Sequence, residues 1–205
     1  MAKLNRGRYD FGVVATDNSF THCPGGIVVV GGHISGGYDK LALDMECFDG
    51  LQWTVVPIST PDMKGVTNQE VVFVHQTGFD SSIYNIGGEE WDEFGQSNTG
   101  SIYQLASSSD EWKLAGELRH KRNNHRSWVT YDYDEENGKK VNAQIYTLGG
   151  QGNGDLPLEK FTVDSEESTE FDDHVFHPVR DQFDIMVFMN GEFDTNLLPN
   201  YEPHC

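Results

Sequence analysis

The residues best equipped for chemistry lie in one basic run of an acidic chain. Arg119-His120-Lys121-Arg122-Asn123-Asn124-His125-Arg126 stands in a sequence with 33 acidic and 14 basic residues and a formal charge of −19. The run is short and the net charge repels a polyanion, so nucleic acid and anionic membranes are poor partners. A small anion or an acidic peptide suits it better, while the overall charge favours a neutral or basic partner. His22-Cys23 is a neighbouring pair of metal-ligand types, but no second pair lies at ligand spacing, and no metal or cofactor is expected. Trp91 and Phe94 sit in the acidic stretch Glu89-Glu90-Trp91-Asp92-Glu93-Phe94-Gly95, read as a loop. An exposed tryptophan there would anchor a partner; alternatively it folds back over a sheet edge. Gly152-Asn153-Gly154 lacks the strand-to-helix context of a phosphate loop. No Ser/His/Asp order or nucleophile elbow appears.

The elements that must position these residues are written three times. Ile27-Val28-Val29-Val30 ends at Gly31-Gly32, Ile83-Tyr84-Asn85-Ile86 at Gly87-Gly88, and Ile145-Tyr146-Thr147-Leu148 at Gly149-Gly150. Such β-branched and aromatic runs suit strands buried on both faces. The glycines suit positive φ or a close backbone approach. A large aromatic follows each pair, at Trp53, Trp112 and Phe171, with another between them at Phe48, Tyr103 and Phe161. Upstream lies a basic residue followed three positions later by an aromatic or histidine: Arg8 and Phe11, Arg122 and His125, Arg180 and Phe183. Lys64 and Thr67 hold that place in the second copy. Four features recurring in one order mark a repeat of supersecondary units. Strands are predicted at 11–15, 26–30, 45–48 and 52–56, then 70–75, 81–86, 101–105 and 111–114. In the third copy they fall at 127–131, 144–148 and 158–163, with a fourth within 164–173. Asp49-Gly50 and Asn190-Gly191 read as tight hairpin turns.

This pattern resembles the kelch repeat, in which each unit is one four-stranded blade of a β-propeller. The period of about 58 is longer than the ~50 usual for such units, the excess falling in loops. The resemblance implies an all-β fold of kelch-type four-stranded antiparallel blades: blade one at 4–57, blade two at 58–115, blade three at 118–172, a partial blade at 174–194 and a tail at 195–205. It implies a protein–protein interaction module that holds a protein or peptide through its inter-strand loops. In relatives the strand-one arginine lines a central pocket, which singles out Arg8, Arg122 and Arg180, with His125 beside them, for pairing with ligand carboxylates or phosphates. The other reading has those arginines bonding backbone between blades. Loops carrying His33, Tyr38, Trp91 and Phe94, and the loop at 151–154, would flank the same face. The competing function is a kelch-type enzyme (oxidase, epimerase or specifier-like) whose site the sequence does not locate.

Composition sets the outer limits. A chain of 205 residues can bury a full core, and 22 glycines suit a turn-rich protein. Cys23, Cys47 and Cys205 are odd in number and show no framework spacing, which points to a reduced, cytoplasmic setting. No apolar leader or Asn-x-Ser/Thr sequon is visible. Three blades and a fraction leave open apolar faces, so self-association to cover them is expected.

Overall fold

The computed structural model describes residues 2–34, 41–60, 63–92, 95–154, 156–165 and 167–170. The expectations for Tyr38, Phe94, Phe171, Arg180, the 174–194 unit and the 195–205 tail lie outside the described residues. Every described element is a strand. The first group comprises β1 (Arg8–Tyr9), β2 (Gly12–Ala15), β3 (Ile27–Val30), β4 (His33–Ile34), β5 (Met45–Phe48) and β6 (Trp53–Val56). The second comprises β7 (Val66–Thr67), β8 (Glu70–Val74), β9 (Ser82–Asp92), β10 (Gly95–Ala106) and β11 (Lys113–Glu117). The third comprises β12 (Arg122–Asn123), β13 (Arg126–Tyr133), β14 (Lys140–Leu148), β15 (Gln151–Gly152), β16 (Glu159–Thr162) and β17 (Glu167–Glu170).

Three antiparallel sheets follow: β2-β3-β5-β6, then β8-β9-β10-β11, then β13-β14-β16-β17. Each runs in chain order, as hairpin connections require. The short β1, β7 and β12 fold back on the stretch after their own glycine pair, pairing with β4, the far end of β9, and β15. The fold is all-β, and most predicted strands are present. Several differ in extent, with β9, β10, β13 and β14 all running longer than predicted. The acidic residues Glu89–Asp92 lie in a strand rather than a loop: β9 continues through the glycine pair and pairs with β10, with Trp91 opposite Gln96. The last strand of the second sheet begins at Lys113 rather than 111, because Trp112 turns inward, 1% exposed.

The sheets are held together by two apolar layers. Val28, Val30, Met45 and Cys47 of the first sheet meet Val71, Ile83, Tyr103, Leu105 and Trp112. On the other side of the second sheet, Val72, Val74, Tyr84, Ile86 and Ile102 meet Ala143, Ile145 and Phe161 of the third. Period-2 alternation explains this: successive side chains of β8 and β9 point to opposite faces, so one sheet feeds both layers.

The pairing corrects the repeat register. Arg8 lies opposite Ile34, Val66 opposite Glu90 and Arg122 opposite Gly152. The second copy's marker is therefore Val66 and Gln69, not Lys64 and Thr67. Likewise Val29 faces Glu46, Asn85 faces Tyr103 and Thr147 faces Glu159. Leu105, not Tyr103, stands where Phe48 and Phe161 stand. Asp10, Asn68 and Asn124 share one left-handed backbone position, with φ of 53°, 55° and 50°. Asp and Asn tolerate that region best among residues with a Cβ.

Cys23 and Cys47 form a disulfide, with Cα atoms 5.6 Å apart. This overturns the expectation of unpaired thiols and argues against the reduced setting inferred from them. No spacing rule marks the pair, since it joins a loop to the strand after next. Among the described residues no helix is long and apolar enough to cross a membrane. Reduction should cost about 3 kcal/mol of stability for a loop of this length. Denaturant melts with and without reductant check this, and coincident midpoints would refute it.

Candidate functional site

Arg8 and Arg122, the two strand-one arginines among the described residues, are structural anchors. Arg8 Nη2 bonds Glu46 Oε1 at 2.6 Å, and neither side chain is exposed. Arg122 makes the same bond to Glu159, again with both side chains at 0% exposure. Each guanidinium also donates to the carbonyl of the first glycine of its pair, Gly31 or Gly149, at 3.2 Å. Each reaches a further carbonyl, that of Asp44 or Pro157. The carboxylates are equally occupied. Glu46 accepts the backbone N–H groups of Asn5 and Arg6, and Glu159 those of Arg119 and His120. Burial alone would raise the Glu46 carboxyl, but the bonds from Asn5, Arg8 and Arg6 outweigh it and hold it below its usual range.

This arrangement encloses Arg8 and Arg122, two of the cations on which the acidic-partner expectation rested. Within the basic run Arg122 is buried, while Arg119, which donates to the Ser168 carbonyl, Lys121, and Arg126, which pairs with Glu70, stay exposed. The second unit shows the alternative solution. Val66 and Tyr103 replace arginine and glutamate together, and both join the apolar layer. A buried pair exchanged for apolar residues is close to neutral, whereas losing one partner strands a charge.

His125 is also buried, 1% exposed, at the junction of the second and third sheets. A Cβ on Gly87 would lie 2.8 Å from its ring, just as one on Gly31 would lie 2.5 Å from Gln69 Nε2. Burial, then Arg122 and Arg126, drive its pKa down to about 3, against the opposing pull of the Ile86 carbonyl. His125 is thus a neutral wedge, set against the glycine that gives it room.

The expected partner-facing residues divide. His33 is buried, stacked on Tyr9 at 4.9 Å, and Trp91 meets His33 edge-on at 6.1 Å. Trp91 therefore folds over the neighbouring sheet while keeping part of its surface in water. His33 Nδ1 and Trp91 Nε1 are buried and have no hydrogen-bond partner among the described residues. Tyr9, which sequence reasoning missed, is 43% exposed and covers this group. Beside it Glu89 is buried and bound by the side-chain amides of Asn68, Gln96 and Asn123. Asn98 closes the cluster, accepting from Asn123 and donating to the Gln151 carbonyl. Only the recurring strand-one position could have pointed to Tyr9 and Asn123. The structural aromatics also find their places: Trp53 packs on Phe48 at 5.2 Å, and Trp112 and Phe161 are buried.

At the opposite end the loop between β2 and β3 crosses to the second sheet. Ser19, Thr21, His75, Phe79, Asp80, Ser81, Ser107 and Ser108 line a pocket of about 290 Å³ there. Asp17 Oδ2 lies 2.6 Å from His75 Nδ1, and Ser19 Oγ lies 3.3 Å from the same nitrogen. Burial would raise the Asp17 carboxyl, but hydrogen bonds from Ser19 and His75 hold it low. A serine relay needs hydroxyl and carboxylate on opposite ring nitrogens, so this trio is not one. Among the described residues no group of three or more His, Cys, Asp or Glu could hold a metal.

No protein-family model matches the chain, and no curated protein matches it.

Two outcomes test these assignments. The unfolded chain protonates His125 near pH 6.5 while the folded chain does so only near 3. Acidification below 6.5 therefore favours unfolding, by about 1.4 kcal/mol per pH unit from this residue. His125→Gln, the solution native to the second unit, should flatten that slope between about pH 6.5 and 4.5 in pH-dependent urea melts. Equal slopes would refute it. Separately, Arg122→Val should cost about 3–5 kcal/mol. Adding Glu159→Tyr should cost less than the two single changes summed, as a double-mutant cycle reads directly.

Proposed function

We propose that this chain is a kelch-type β-propeller, or part of one, acting as a protein–protein interaction module. Its blades run 4–57, 58–115 and 118–172, and the sequence of 174–194 opens a fourth. Several observations support this reading. The three sheets share one strand order, and each packs against the next. The innermost backbone is stitched from unit to unit: Asn68 N–H donates to the Asp10 carbonyl and Asn124 N–H to the Asn68 carbonyl, each at 3.0 Å. A repeated bond of this kind is what a constant rotation between units produces.

The partner-binding end is the one where the glycine pairs lie. The observation that carries it is the aromatic group of Tyr9, His33 and Trp91, in which Tyr9 is exposed, Trp91 partly so and His33 buried beneath them, with two ring nitrogens left unbonded within the described residues. Tyrosine and tryptophan with an apolar body and a polar tip are the side chains that dominate protein contacts. With Arg8 and Arg122 enclosed, the polar groups beside the patch are Glu89 and its amides, and Lys64 there is paired to Glu90 at 3.3 Å. A neutral or basic peptide fits that surface better than an acidic one.

Selection of a peptide library on the folded chain tests this. Selected peptides should lose about 30-fold in affinity on Tyr9→Ala or Trp91→Ala, the mark of a ~2 kcal/mol anchor. Peptides that bind both variants as they bind the parent would place the interface elsewhere.

A further inference from the structure

We propose that Glu89 receives a basic side chain of the bound peptide, whose cation takes the place of the Gln96 amide at the carboxylate. This rests on the peptide-binding reading of that end and adds the residue type it selects.

Buried charge in this fold comes in pairs, with one exception. The Asp, Glu, Lys and Arg residues buried among the described ones are Arg8, Glu46, Arg122, Glu159 and Glu89. The first four form two ion pairs, Arg8 with Glu46 and Arg122 with Glu159. Glu89 stands outside the strand-one position and is 8% exposed, and its partners among the described residues are the neutral amides of Asn68, Gln96 and Asn123. Amides occupy lone pairs but do not cancel a charge, and a buried charge is ordinarily paired. At a partner-facing end, the missing counter-charge is what a cationic ligand brings.

The two carboxylate oxygens differ in access. Oε1 accepts from Asn123, which is itself buried. Oε2 accepts from the exposed Gln96 and, at a long 3.4 Å, from the half-buried Asn68. Oε2 therefore opens to water once the Gln96 side chain swings aside. An ammonium or guanidinium placed there makes the stronger, charge-assisted bond. Gln96 also joins this carboxylate to the aromatic group, since it lies opposite Trp91. Glu89 and Trp91 are two apart on β9 and share a face. Trp91 and Tyr9 thus offer ring surface near the cation, which favours it further. The chain's charge of −19 draws such a ligand in.

Nuclear magnetic resonance titration of the full chain with Nα-acetyl-arginine amide tests this, against the citrulline analogue, which keeps the outline and lacks the charge. The arginine probe should shift the side-chain amide signals of Asn68, Gln96 and Asn123, with a Kd of about 1 mM, as one anchored side chain allows. The citrulline probe should bind about tenfold more weakly, and Glu89→Gln should erase the difference between the two. Gln96→Lys repeats the test at an exposed position should the first variant fold poorly: its own ammonium should fill the site and weaken the arginine probe about tenfold. Amide signals that stay in place, equal binding of both probes, or binding indifferent to both variants overturns the proposal. Library-selected peptides separate this from the wider reading. Peptides that need Tyr9 and Trp91 but carry no basic residue, and bind Glu89→Gln as they bind the parent, overturn the cation site and leave the peptide surface standing. Peptides indifferent to Tyr9→Ala and Trp91→Ala overturn the wider reading, and with it the assignment of this site to a peptide.

Discussion

A guanidinium shut away from water cannot be left without its carboxylate. That constraint shapes the first and third units. Arg8 and Arg122 each tie a short inner strand to the first glycine of its pair and to a glutamate on the third strand. The glutamates in turn gather the two N–H groups of the approaching chain. One ion pair thus fixes four segments whose backbone groups would otherwise be buried unmet. The second unit meets the same requirement by discarding both partners, with Val66 and Tyr103 in the apolar layer. Half-measures are absent among the described units, as the cost of a stranded charge would lead one to expect.

The glycine pairs set how closely one unit approaches the next. In the second pair, Gly87 and Gly88 hold φ of 54° and 104°, a conformation that side chains resist. A Cβ on Gly87 would strike the His125 ring and the Arg122 carbonyl, and one on Gly88 the Thr67 carbonyl. The first glycine thus makes room for the following unit and the second for its own inner strand. This is why the residue three places after the arginine varies among Phe11, Gln69 and His125 while the glycines do not. The wedge can change shape as long as its seat stays bare. Function can then be carried by what surrounds the seat, and here that is an aromatic group and an amide-bound carboxylate rather than a cationic pocket.

Much of this was legible in the strings themselves. The run Ile27–Val30 became a strand where its residue types placed it, because β-branched side chains on both faces fit little else. Trp91 was visible as a partly exposed aromatic, but its neighbours were not. Tyr9 reaches His33 only because β1 folds back on β4. The second copy was misaligned by two residues because Lys64 looked like an arginine equivalent. Its true counterpart, Val66, has no charge to mark it.

By itself the sequence determined which runs form strands, where the chain must turn with positive φ, and that these features repeat. Each depends on residues adjacent along the chain, so local sterics and periodicity suffice. Tertiary structure alone decided which charges were buried, which cysteines bonded and which sheet face stayed open. Arg8 and Glu46, or Cys23 and Cys47, are distant in sequence and meet only when strands pair. Val13 and Val71 are the same residue at the same repeat position. What separates them is whether another sheet lies in front.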